Sequence, residues 1–175
     1  DLEEVKPVTI MDEPSARPGA YAPQNRYQAE RGEYLVELLA CGACHTEGAL
    51  IGAPDFDKAL AGSRIGIAFA SPLDNRLPGV VYPSNITPDR ETGIGDRSDL
   101  QIANAIRLGI GRHAGSPIVS MPWPGYARLS DEDIAAIVSY LRSIKPVRHA
   151  TPTRVAPGQP AASPFVYFGV YRSKN

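Results

Sequence analysis

Proline placement limits this chain more than any other feature. Seventeen of its 175 residues are proline, and they crowd the ends. Pro7, Pro14, Pro18 and Pro23 lie near the start; Pro146, Pro152, Pro157, Pro160 and Pro164 lie near the finish. Each fixes its own φ, lacks an amide hydrogen and pushes the preceding residue out of the helical region. Both ends should therefore run extended. The chain divides into an extended arm over 1–24, a body over 25–147 and an extended tail over 148–175. A body of that size can bury one small core. A content of 43% hydrophobic and 21% charged residues excludes a wholly disordered chain.

Charge divides near the same boundary. All 19 acidic residues lie at or before Asp133, together with 12 of the 18 basic ones. Arg142, Lys145, Arg148, Arg154, Arg172 and Lys174 follow. The net charge of −1 thus averages an acidic body with a basic tail. A near-neutral chain does not bind nucleic acid by bulk charge. The tail either lies on its own acidic body or serves as a docking element for an acidic partner. Its aromatic run, Phe165, Val166, Tyr167, Phe168, Val170 and Tyr171, is β-prone and expected to pack on the body or on another subunit. No apolar stretch approaches the roughly 18 residues a transmembrane helix needs. The chain begins at Asp1, which is compatible with a removed export leader.

The body reads mostly as helix and loop. Apolar spacing marks a helix from Tyr27 to Leu39. Ser98 with Gln101 forms a capping box for a helix through Leu108, stopped by Gly109. Ser130 opens another helix whose first turn is Asp131-Glu132-Asp133 and whose apolar face is Ile134, Ile137, Val138 and Leu141. Arg142 and Lys145 near its end, and Pro146 beyond, suit the helix dipole and the usual stop signals. Ile65 to Phe69 and Val80 to Tyr82 form a short hairpin around Ser71 to Gly79.

The chain has two cysteines, and they fall in Cys41-Gly42-Ala43-Cys44-His45. This is the C-x-x-C-H pattern of covalent haem attachment. Chance would produce it on the order of once in five thousand such chains. Two thiols one helical turn apart can join the two vinyl groups of one porphyrin, and the adjoining His45 can ligate its iron. A dithiol redox motif would instead open a helix after a strand. A zinc site would need further ligands, with only His113 and His149 to supplement the motif. A disulfide across this spacing would be strained.

An iron held by His45 has a second axial position. Met121, His113 and His149 are the candidates, Met11 lying in the proline-rich arm. Met121 stands in Ser120-Met121-Pro122-Trp123-Pro124-Gly125-Tyr126, where two prolines predict a stiff, extended segment suited to holding a thioether. Met/His ligation favours six-coordinate, electron-transferring iron.

With this order of elements the sequence resembles a class I cytochrome c. It is most similar to single haem modules of the cytochrome c subunits of bacterial periplasmic alcohol, gluconate and aldehyde dehydrogenases. The resemblance rests on the haem turn, on Gly32-Glu33-Tyr34-Leu35-Val36, and on Asn85-Ile86-Thr87-Pro88-Asp89 with Thr92-Gly93-Ile94-Gly95. Met121-Pro122, Leu129-Ser130-Asp131-Glu132-Asp133 and Tyr140-Leu141-Arg142 complete it. It covers the body alone, and this chain has one haem turn where those subunits have three. It implies a mostly α fold packed around one covalent haem c, thioether bonds from Cys41 and Cys44, and axial ligation by His45 and Met121. It also implies that Gly32 lets the first helix approach the last near Tyr140.

Around such a haem, a carbonyl of the Gly52–Pro54 loop is placed to accept a hydrogen bond from His45. Asn85, Arg112, Trp123 and Tyr126 are candidate propionate donors. Packing is the alternative role of Trp123 and Tyr126, and turn formation that of Asn85. The function expected is single-electron transfer in the bacterial periplasm, from a dehydrogenase to an oxidase or another cytochrome, with no catalytic residue. The rivals are a haem enzyme or sensor with a labile sixth ligand, and a permanent relay subunit of a larger oxidoreductase.

Overall fold

The computed structural model describes residues 26–69, 77–111 and 120–168. The helices are α1 (Arg26–Leu38), α2 (Cys41–His45), α3 (Asp99–Leu108), α4 (Trp123–Tyr126) and α5 (Asp131–Ser143). Single 3-10 turns occupy Ala49–Ile51 and Phe56–Lys58. The strands are β1 (Gly66–Ala68), β2 (Val80–Val81) and β3 (Phe165–Val166). The mostly α fold expected from the sequence is the fold observed.

Local signals set the helix ends. At α3, Ser98 Oγ accepts from the Gln101 amide at 3.2 Å and Gln101 Oε1 accepts from the Ser98 amide at 2.9 Å, completing the capping box. At α5, Ser130 Oγ accepts from the Asp133 amide at 3.1 Å, and three acidic residues fill the first turn. The first helix begins and ends one residue earlier than its apolar spacing predicts.

The core forms where α1 crosses α5. Leu35 and Val36 of α1, Ile102 and Ala103 of α3, and Ile134, Ile137, Val138 and Leu141 of α5 make one buried cluster with Leu60 and Ile94. Full burial of a side chain such as Ile134 or Ile137 contributes about 1.5–3 kcal/mol. The crossing is close because Gly32 has no side chain. A Cβ there would collide with the Ala136 carbonyl and stand 2.8 Å from Tyr140 Cβ. Gly32→Ala should therefore force the two helices apart and cost about 3 kcal/mol. Urea unfolding of the haem-loaded protein would register this as a lower midpoint; an unchanged midpoint would contradict the close approach.

Ion pairs and arginine hydrogen bonds tie α3 to α5. Arg142 Nε lies 2.9 Å from Asp99 Oδ1 and its Nη1 donates to the Ile94 carbonyl at 3.0 Å, joining the end of α5 to the start of α3. Arg107 donates to the Leu129 carbonyl at 2.7 Å and pairs with Asp131, also at 2.7 Å, fixing the entry to α5.

The hairpin is antiparallel, with Ile67 opposite Val81 and Ala68 opposite Val80. Part of its predicted turn lies outside the described residues. The aromatic run of the tail supplies β3, which pairs parallel to β1 with Gly66 opposite Phe165 and Ile67 opposite Val166. Val155 bridges Val80, Arg154 stacks over the Phe69 ring at 4.6 Å, and Arg148 pairs with Glu91. The described part of the tail thus lies on its own body. The arm over 1–24, and Val170 and Tyr171, lie outside the described residues. None of the helices among the described residues is long and apolar enough to cross a membrane.

Candidate haem site

The Cys-x-x-Cys-His segment forms its own short helix. Ala40 separates α1 from α2 and takes φ of 54°. That left-handed value costs a non-glycine residue about 1–2 kcal/mol, and it breaks the helical path just before Cys41. The two thiols stand three residues apart on α2, and their sulfurs therefore share one side of a single turn. Burial pushes the Cys41 thiol up to about 11 and raises that of Cys44 as well. Both are thus held as neutral thiols. A disulfide-exchange site needs the reverse, a stabilised thiolate at a helix start.

His45 closes α2. Its Nδ1 lies 2.7 Å from the carbonyl oxygen of Ser84, 39 residues away in the chain. A carbonyl can only accept, so Nδ1 carries the proton and Nε2 keeps its lone pair. Desolvation lowers the pKa of the ring below its ordinary value, with the Ser84 carbonyl opposing that shift. The donor set fits a covalently held haem: two neutral thiols on one turn, and a neutral imidazole with one nitrogen already oriented and the other open to iron.

The sequence placed the His45 acceptor in the Gly52–Pro54 loop, and the structure corrects this. That loop closes on the residues just after the haem turn: Ala53 N donates to the Gly48 carbonyl at 3.1 Å and Asp55 N to the Glu47 carbonyl at 2.8 Å. Pro54 is thereby held against its own turn, and Ser84 meets the histidine. Nothing local to Ser84 marks it for this role, because its place depends on a contact between distant loops.

Asn85 does not fit the propionate role. It is 2% exposed. Its Nδ2 donates to the Val147 carbonyl at 2.7 Å and to Thr92 Oγ1 at 2.9 Å, while its Oδ1 accepts from Thr87 N and Thr87 Oγ1 at 2.9 and 2.8 Å. With both amide hydrogens and the oxygen engaged, it acts as a loop fastener. Its bond to Thr87 N is the turn-forming alternative read from the sequence.

Met121 lies in a bend just ahead of the single-turn helix α4, where the sequence suggested a stiff, extended segment. Pro122 caps α4 and Pro124 sits in its first turn, where a fixed φ and a missing amide hydrogen help rather than hinder. The Trp123 ring packs on Gly109 at the end of α3, so that a Cβ there would stand 2.6 Å from the indole. Tyr126 donates its hydroxyl to the Leu39 carbonyl at 3.1 Å, two residues before Cys41. Burial raises the Tyr126 pKa, and the nearby Cys41 and Cys44 add to the effect. That hydroxyl hydrogen is therefore committed to the backbone and not to a propionate. The bond docks the Met121 segment beside the haem turn. Met121 itself is half-buried.

His149 is taken up elsewhere. It is 7% exposed, with Nδ1 3.0 Å from the Ala61 carbonyl and Nε2 3.2 Å from Glu47 Oε2. With both ring nitrogens engaged, neither is left for iron. Arg112 and His113 lie outside the described residues.

Comparison with known proteins agrees with a cytochrome c site. The family described as Cytochrome c matches residues 29–145. The chain is 40% identical over 119 residues to the cytochrome c subunit of alcohol dehydrogenase (quinone) from Gluconobacter oxydans, covering 67% of this chain and 22% of that one. It is 38% identical over 122 residues to the gluconate 2-dehydrogenase cytochrome c subunit of Pantoea cypripedii, covering 69% and 24%. It is 34% identical over 137 residues to the fructose dehydrogenase cytochrome subunit of Gluconobacter japonicus, covering 78% and 25%. The chain spans about a quarter of the length of these curated relatives. The match runs from the first helix to the last, across the turn that carries both thiols and the oriented imidazole, and the chain belongs to the cytochrome c family, whose members transfer electrons on covalently bound haem c.

Proposed function

We propose that this chain carries single electrons on one haem c, held by thioether bonds from Cys41 and Cys44 and ligated by His45 and Met121. The observation that carries this reading is the bond from His45 Nδ1 to the Ser84 carbonyl, which leaves Nε2 as the free nitrogen of a neutral imidazole beside two thiols. When bound, the haem supplies a one-electron Fe(III)/Fe(II) couple. The protein's residues set the conditions for it. Ser84 fixes the tautomer and orientation of His45. The α4 turn, pinned by Tyr126 to Leu39, holds the Met121 segment beside the haem turn. Trp123 serves as packing at the edge of that segment. No residue is assigned a catalytic role.

With two cysteines the chain has one attachment pair, which supports one haem. The relatives named above are cytochrome subunits of alcohol, gluconate and fructose dehydrogenases, which supports a dehydrogenase as electron donor and an oxidase or another cytochrome as acceptor. Covalent haem attachment supports the bacterial periplasm as the compartment. The chain exported behind a cleavable leader should gain the mass of one haem, and the gain should survive denaturation. A mass equal to that of the bare polypeptide would overturn the assignment.

A further inference from the structure

The acceptor for His45 is held in place by the tail. Ser84 sits between two immobilised neighbours. Pro83 accepts from the Ser63 amide at 3.0 Å, and Asn85 spends its side chain on the Val147 carbonyl and Thr92. The next residue, Ile86, donates its amide to the Leu60 carbonyl at 2.9 Å. The last residue of the body and the first residues of the tail close this arrangement from outside. The His149 amide donates to Thr92 Oγ1 at 3.0 Å, and the Val147 amide to Thr87 Oγ1 at 3.1 Å. The buried His149 ring reaches the opposite loop, at the Ala61 carbonyl and Glu47. That loop is joined to His45 through the Gly62 amide, which donates to the His45 carbonyl at 2.8 Å. Gly62 takes φ of +85°, and a Cβ on it would stand 2.7 Å from Asn85 N and 2.6 Å from Thr151 Cγ2, so the two loops and the tail meet with no spare room.

We propose that Val147, His149 and Asn85 form a clamp that fixes the Ser84 carbonyl on His45 Nδ1, making His149 and Asn85 positioning residues that tune the iron ligand. This rests on His45 binding the iron. A carbonyl held rigidly on Nδ1–H makes the imidazole a stronger donor and favours the ferric state. The tail is thus a part of the redox site that touches neither haem ligand.

The test uses the haem-loaded full chain and reads two quantities: the reduction potential, and hydrogen exchange of the His45 Nδ1 proton by NMR. His149→Ala should raise the potential and speed that exchange about tenfold, the factor one ordinary hydrogen bond is worth. His149→Asn, whose amide nitrogen can stand where Nδ1 stands, should recover most of both. Val155→Ala loosens the tail at the sheet edge and should move neither. If His149→Ala does not accumulate, Thr92→Val removes the hydroxyl shared by Asn85 and the His149 amide and should shift both readouts the same way. Normal exchange and potential in whichever of these two variants is measured, with only a lower unfolding midpoint, would overturn the clamp. Failure of the underlying reading would show separately, because the His45 proton of the unsubstituted protein would then lack any shift from the iron's spin.

Discussion

Replacing Cys41 and Cys44 together with alanine should leave no haem covalently bound to the chain. The two thiols are the only sulfurs able to form thioethers, and they share one turn of α2. Their removal changes neither the His45–Ser84 bond nor the α4 turn, so a haem could still be ligated. It would then be lost to acidified organic solvent, which leaves the unsubstituted protein coloured. Each single alanine variant should keep one thioether and resist extraction. Acid extraction followed by mass measurement separates the three cases. Colour retained by the double variant after extraction would mean that the attachment lies elsewhere.

The second large effect is expected at Met121. Met/His ligation raises the potential of a haem iron and keeps it six-coordinate. Met121→Ala should give high-spin ferric iron and open a site for carbon monoxide in the ferrous form. The potential should fall on the order of 0.2 V, a part of the roughly 0.8 V range that axial ligands span. Met121→His should restore the low-spin state without restoring the potential. An unchanged spectrum and potential in Met121→Ala would assign the sixth position to another residue and revive the sensor or enzyme alternative.

The parts legible from the sequence are those governed by neighbours a few residues apart. Ser98 with Gln101, and Ser130 with its acidic turn, announce two helix starts because capping is a local bargain between a side chain and the next turn. The Cys-x-x-Cys-His turn is equally local. The alternation of Ile65 to Phe69 and Val80 to Tyr82 was enough to pair β1 with β2. Most of the misreadings involve partners far apart in the chain. Ser84 meets His45 across 39 residues, and Asn85 meets Val147 across 62. β3 joins β1 in parallel, a pairing that no turn signal predicts. Met121-Pro122 read as extended because proline opposes helix interiors, yet the same residue favours a helix start, and α4 is a single turn. The basic tail was ambiguous for a related reason: net charge says nothing about where each cation rests. Arg148 finds Glu91, whereas Arg154 finds an aromatic ring.

The central claim is a single haem on His45 and Met121 that exchanges one electron at a time. The most direct test is a spectroelectrochemical titration of the exported chain. The account predicts a reversible one-electron Nernst curve, low-spin spectra in both states, and a methionine–iron charge-transfer band in the oxidised form. A high-spin ferric spectrum without that band, or no haem absorbance at all, would contradict it.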